Sequence, residues 1–304
     1  MDISLMIEGQ DGVNWPRWQA LARTVEAAGF TGLYRSDHFT NPDGPLQDAL
    51  ELWASQTWLA SHTERIVFGP VVSPVSFRDP VITAWTASAI DDLSGGRFRL
   101  GLGAGWQERE HTMFGYDLLD TDQRFVRFTE ALEVVTGLLR SSDPYTFEGQ
   151  YYTVKDAVLL PRPARSGGPT ITIGGNGPLR TLPLAARFAD DWNAVYAHPE
   201  KVANLNRTLD TMLDDLGRPR TAVRRSLMHR AVFGRTQAEA EAKIPNTEDR
   251  DRLLERGGVI GTGDAIREWI DGFAAVGVQE IMIQWVDGLD DLDGIRALAD
   301  AVIR

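Results

Sequence analysis

Short apolar runs alternate with helix-period segments along the whole chain, and that beat admits few folds. Ile3 to Glu8 reads as a strand; Trp18, Leu21, Ala22, Val25 and Ala28 then recur at helical spacing, with Pro16 in the first turn and Gly29 at the stop. The pattern repeats with strands at 32–37, 66–72, 98–102, 170–174, 192–196, 227–233 and 280–285. Helices are predicted at 46–61, 80–93, 122–140, 178–188, 199–216, 263–276 and 290–303. A continuous apolar run such as Ile66 to Val72 suits a strand covered on both faces. Eight strands, each followed by a helix, predict an α/β fold of the (β/α)8 TIM barrel type, with parallel strands and right-handed crossovers.

Two stretches interrupt the alternation. Residues 141–169 hold two strand-like runs around Glu148, Gly149 and Gln150, an inserted hairpin after the helix at 122–140. Residues 234–262 are polar and too long for a plain loop, which predicts an inserted helical excursion. With no linker or repeat, residues 1–304 read as a single domain. A net charge of −12 has the wrong sign for nucleic acid or an anionic membrane. The lack of cysteine excludes disulfides, thiolate metal sites and a cysteine nucleophile, and agrees with a reducing cytoplasm. The first residues lack a signal-peptide pattern, and no apolar run reaches the roughly 18 residues of a membrane span. The expectation is a soluble, cytoplasmic protein whose partner is a small molecule.

The active site of such a barrel forms where its strands end. Strand one ends at Glu8 and strand two in Ser36, Asp37, His38 and Phe39; strand four runs into Gly101, Gly103, Ala104, Gly105, Trp106 and Glu108. His38 is the candidate proton donor or acceptor, because imidazole titrates near neutrality. Ser36, Asp37 and His38 form no hydrolase triad, since neighbours on a strand face opposite ways. The glycines at 101, 103 and 105 lack the GxGxxG spacing of a dinucleotide turn, and instead offer a backbone that a ring system can approach. Gly174, Gly175, Asn176 and Gly177 precede a helix that carries Arg180 in its first turn, which suits a phosphate. Glu108-Arg109-Glu110-His111 lacks the spacing of a metal-binding helix, so no metal is expected. Trp53, Trp106 and Trp285 lie near the rim and are candidates for an aromatic pocket.

These segments, in this order, resemble the luciferase-like monooxygenase superfamily, and within it the branch of coenzyme F420-dependent oxidoreductases. The likeness rests on Ser36 to Phe39, Gly69 to Pro74, Phe77 to Pro80, Leu93 to Trp106, Phe147 to Tyr152, Leu160 to Pro163, Ile173 to Pro178, Ala186 to Asn193 and Gly261 to Asp264. The resemblance implies a homodimeric barrel with the ring of F420, or alternatively FMN, near Asp37, Val71, Val72, Ala104, Gly105 and Trp106. It implies a non-proline cis peptide at Val71-Val72 and a phosphate tail on Gly174, Gly175, Asn176 and Gly177. His38 would sit beside the reacting centre, with Glu108 and Glu8 as acids at the rim. The chain departs from the sugar-phosphate-oxidising branch at Thr40-Asn41-Pro42, where that branch has tryptophan, and at Trp106, where it has an acid; glucose 6-phosphate is therefore not the expected substrate. The implied reaction is hydride transfer between F420 and a small organic substrate, with His38 exchanging the proton. An FMN-dependent monooxygenase using reduced flavin and dioxygen, and a barrel that binds a flavin without turning it over, remain the alternatives.

Overall fold

The computed structural model describes residues 1–303. Its barrel begins with β1 (Asp2–Ile7), β2 (Gly32–Arg35), β3 (Val67–Pro70), the short continuation β4 (Ser73–Pro74) and β5 (Arg99–Gly103). After an antiparallel hairpin, β6 (Tyr145–Glu148) and β7 (Thr153–Ala157), it resumes with β8 (Thr170–Gly174), β9 (Asp191–Val195) and β10 (Arg224–Phe233). The last strands are β11 (Val259–Gly261), which only extends the end of β10, and β12 (Glu280–Gln284). Neighbours run β3-β2-β1-β12-β10-β9-β8-β5-β4, and the wall closes where Phe68 pairs with Phe98 and β4 with β5. All the wall pairings are parallel. The predicted (β/α)8 TIM barrel is the fold of this chain.

Around the wall lie α1 (Trp15–Ala28), α2 (Leu52–His62), α3 (Pro80–Ser94), the short α4 (Glu108–Phe114), α5 (Thr121–Arg140), α6 (Thr181–Phe188) and α7 (Pro199–Asp215). The excursion after β10 holds α8 (Gln237–Ala242) and α9 (Thr247–Glu255); α10 (Gly263–Ala275) and α11 (Leu292–Val302) follow. Strand side chains alternate with period two. One set, including Leu5, Ile7, Leu33, Leu100, Ile171 and Ile283, packs under the helices as the main core. The other set fills the barrel itself, with Met6, Tyr34, Val71, Met228 and Met282 as a separate apolar cluster.

Two predicted boundaries shift for local reasons. The helix expected from residue 46 starts at Leu52, because Glu51 caps it by accepting from the Ala54 N–H at 2.7 Å. The strand expected over 66–72 breaks at Val71-Val72, whose peptide bond is cis. The glycines at 101 and 103 answer that break. A Cβ on Gly101 would lie 2.0 Å from the Pro70 carbonyl oxygen, and one on Gly103 would lie 2.6 Å from Cγ2 of Val72. Their bareness makes room for the neighbouring strand.

Candidate active site

A cavity of about 470 Å3 opens at the carboxyl end of the barrel. Its wall includes His38 after β2, Val71 and Val72 at the cis bond, and Ala104, Gly105 and Trp106 after β5. Gly174 and Gly175 contribute from the end of β8, Glu8 from the end of β1, and Val195 and Tyr196 from the end of β9. Met6, Asn193 and Met228 line it one inward position deeper along their strands. Phe125 reaches in from α5, beside Arg124, whose guanidinium donates to the Gly105 carbonyl at 2.7 Å and steadies that turn.

His38 is fixed by Glu110. The imidazole Nδ1 lies 2.7 Å from one oxygen of the Glu110 carboxylate, and the other oxygen accepts the Phe39 N–H at 2.9 Å. Burial on its own lowers the pKa of His38, but the hydrogen bond and charge of Glu110 outweigh it and raise the imidazole above its usual value. Burial likewise pushes Glu110 up, and the bonds from His38, Gln107 and Phe39 bring it below the ordinary carboxylate range. An ionised carboxylate only accepts, so Nδ1 carries a proton in either charge state and Nε2 is the nitrogen left to exchange one. Trp106 stands edge-on to this ring, with centroids 5.6 Å apart, and is 60% exposed at the rim.

A second network holds Glu8. Gln284 Nε2 donates to one carboxylate oxygen at 2.6 Å and Gln10 Nε2 to the other at 3.1 Å. The amide oxygen of Gln284 accepts the Tyr196 hydroxyl at 2.7 Å, and that of Gln10 accepts the Ser36 hydroxyl at 2.9 Å. Burial, with the charge of Glu8, raises the pKa of Tyr196 so that its phenol stays protonated. Tyr196 also adopts φ +43°, a left-handed conformation rare for a residue with a bulky side chain.

Several residues expected at the site lie elsewhere. Glu108 is exposed and borders a separate surface depression with Pro42, Arg109 and Met113; Glu110 is the acid that meets His38. Asp37 is buried behind the cavity, where it accepts from Ser73 at 2.6 Å and pairs with Arg78. Trp53 is 7% exposed and packs against Phe98 in the main core, and Trp285 donates to the Gly288 carbonyl outside the cavity lining. Asn176 grips the backbone of Val195 through its amide, and Gly177 accepts the first amide bonds of α6, so neither lines the cavity. Arg180 is taken by Asp122 at 2.5 Å. Sequence reasoning missed Glu110, Asn193, Tyr196 and Gln10. Glu110 was visible only as a second acid in the run Glu108 to His111, and Tyr196 as the end of the strand expected at 192–196; neither pattern shows which partner the side chain meets.

A family model described as luciferase-like monooxygenase matches residues 4–250. An F420-dependent glucose-6-phosphate dehydrogenase of Microbacterium testaceum is 30% identical over 238 residues, covering 76% of this chain and 65% of that protein. The chain spans about half the length of two further relatives that it matches. An FMNH(2)-dependent dimethylsulfone monooxygenase of Pseudomonas putida is 24% identical, with 88% and 73% of the two chains covered. Among solved structures, the coenzyme F420-dependent tetrahydromethanopterin reductase of Methanopyrus kandleri superposes with a TM-score of 0.77 at 18% identity, covering 100% and 99% of the two chains.

Proposed function

The chain belongs to the luciferase-like monooxygenase family, and from that premise we propose that it transfers a hydride between coenzyme F420 and a small organic substrate, with His38 moving the accompanying proton. The residues present suit the cofactor. Val71, Val72, Ala104 and Gly105 offer an apolar wall, and Gly174 and Gly175 leave bare backbone beside it. The bound deazaflavin supplies a two-electron hydride carrier. Val71, Val72 and the Ala104 to Trp106 segment would hold its ring, and Gly174 and Gly175 would border its tail.

His38 in the cavity wall, held from behind by the buried Glu110, carries this reading. Glu110 orients the ring so that Nε2 can receive a proton from the substrate in oxidation or return it in reduction. Replacing His38 with Ala is expected to lower turnover by about 10² to 10⁴. F420 affinity, followed by cofactor fluorescence, should stay within a few-fold; unchanged turnover would remove His38 from the chemistry. The Pseudomonas relative keeps FMN as the second reading. Parallel titrations with F420 and FMN, followed by oxygen uptake with each reduced cofactor, separate the two.

We also propose a homodimer. Ile82, Trp85, Ala89 and Leu93 stand exposed at three- and four-residue intervals on α3, forming one uncharged stripe. A second copy of a chain with net charge −12 approaches most easily at such a face. Light scattering should give twice the monomer mass, and Trp85→Glu should reduce it to one.

A further inference from the structure

We propose that the part of the cavity wall built from the ends of β1 and β9, backed by Gln284 at the end of β12, selects hydrogen-bond donors, a hydroxyl or an amine on an apolar body, and turns away carboxylates and phosphates. The inference rests on the reading of this cavity as the hydride-transfer site and names the substrate class it takes.

Tyr196 and Ser36 each have one hydroxyl proton, and both spend it on glutamine amide oxygens, at 2.7 Å on Gln284 and 2.9 Å on Gln10. That orients both amides with nitrogen toward Glu8, so each Glu8 oxygen already accepts one bond and keeps one further acceptor position. The Tyr196 oxygen, having donated, is left as an acceptor. Deeper in, Ser226 gives its proton to Asp191 at 2.9 Å and must therefore accept from Asn193 Nδ2 at 3.0 Å. The atom of Asn193 left over is Oδ1, an acceptor on a fully buried residue that lines the cavity and has no partner. Three different side chains thus present acceptors.

Charge points the same way. Among the described residues no lysine or arginine lines the cavity; Arg230 and Arg256 act on Tyr196 only by their field, from outside the lining. An anionic substrate would meet the Glu8 carboxylate with no lining cation to offset it, whereas an ammonium or hydroxyl would satisfy it. Met6, Val195 and Met228 give the apolar remainder of the ligand a surface to cover. The left-handed backbone of Tyr196 supports a functional origin, because such conformations on bulky residues gather at ligand sites.

The test uses three probes of matched length, hexanol, hexylamine and hexanoate, on the F420-loaded protein, with dissociation constants read from cofactor fluorescence. Hexanol and hexylamine are expected to bind at least roughly tenfold more tightly than hexanoate. Glu8→Gln should erase the advantage of the amine and tighten hexanoate, while Tyr196→Phe weakens hexanol several-fold without reordering the three. Hexanoate binding best, a ranking that Glu8→Gln leaves untouched, or no binding by any probe would each overturn the inference. Loss of tight hexanoate binding in Arg230→Gln would then identify an anion site in its place. Failure of F420 itself to bind sinks only the parent reading, and the probes are then ranked by thermal shift on the cofactor-free protein, with the same outcomes deciding.

Discussion

Glu110 gives up its hydration to hold one imidazole nitrogen and one backbone amide, and its neighbour two residues back does neither. Residues two apart on a helix stand about 200° apart around the axis, so Glu108 and Glu110 cannot share a task once α4 forms. A seven-residue helix has too few apolar positions to announce itself, which is why the acid beside His38 was legible as a type of residue but not as a position. Replacing Glu110 with Gln removes the charge that raises His38, leaves only a neutral amide oxygen to accept from the ring, and keeps the burial that lowers it. The limb of the kcat/KM profile governed by His38 should therefore move to lower pH; an unmoved limb would dissociate His38 from that titration. The linkage has a definite sign. The raised histidine stabilises fully below its unfolded value near pH 6.5 and loses this as pH climbs through the folded value. The lowered carboxylate stabilises above its unfolded value near 4.5 and loses this on acidification. The stability difference between wild type and Glu110→Gln, measured by urea unfolding, should thus be largest at about pH 5 to 6 and shrink by pH 9.

Elements that end on a local signal were readable, and elements held by distant side chains were not. The hairpin declares its turn in Glu148, Gly149 and Gln150, yet two strands alone are marginal in water. What fastens it is Glu130 on α5, whose carboxylate accepts the amides of Gln150 at 2.8 Å, Tyr151 at 2.7 Å and Tyr152 at 3.2 Å. Nothing near residue 130 marks it for that role. Glu130→Ala should cost about 1 to 3 kcal/mol. Amide exchange should quicken at Gln150, Tyr151 and Tyr152 and stay unchanged in the barrel strands; equal quickening everywhere would show that the carboxylate supports α5 rather than the hairpin. The break after β3 has the same character. Gly101 and Gly103 were visible as a cluster, but the Pro70 carbonyl and Val72 side chain that need their space come from another strand.

Across the whole molecule the apolar runs revealed the strands, while the interior of the barrel stayed hidden because a polar residue at a strand start looks like the end of a loop. Asp191, just before the strand expected at 192–196, is the first residue of β9 and is fully buried. The base of the barrel around it is ionic. Arg99 donates to Glu280 at 2.5 Å, Ser4 donates to the other Glu280 oxygen at 2.6 Å, and Arg224 lies 3.5 Å from the same carboxylate. Thr172 and Ser226 both donate to Asp191 Oδ2, leaving Oδ1 without a partner. Burial pushes Asp191 up to about 6, with Arg99 and Arg224 opposing and Glu280 reinforcing the shift. The native state therefore holds this proton more tightly than the unfolded chain, and stability falls as pH rises from the unfolded value of 3.8 to about 6, then levels. Asparagine at this position keeps an acceptor for the two hydroxyls and cannot ionise. Relative to wild type, Asp191→Asn should gain up to about 3 kcal/mol between pH 4 and pH 7, read from urea midpoints at each pH. A difference that stays constant over that range would mean that Asp191 keeps its ordinary carboxylate titration inside the barrel, with the arginines of the base offsetting its burial.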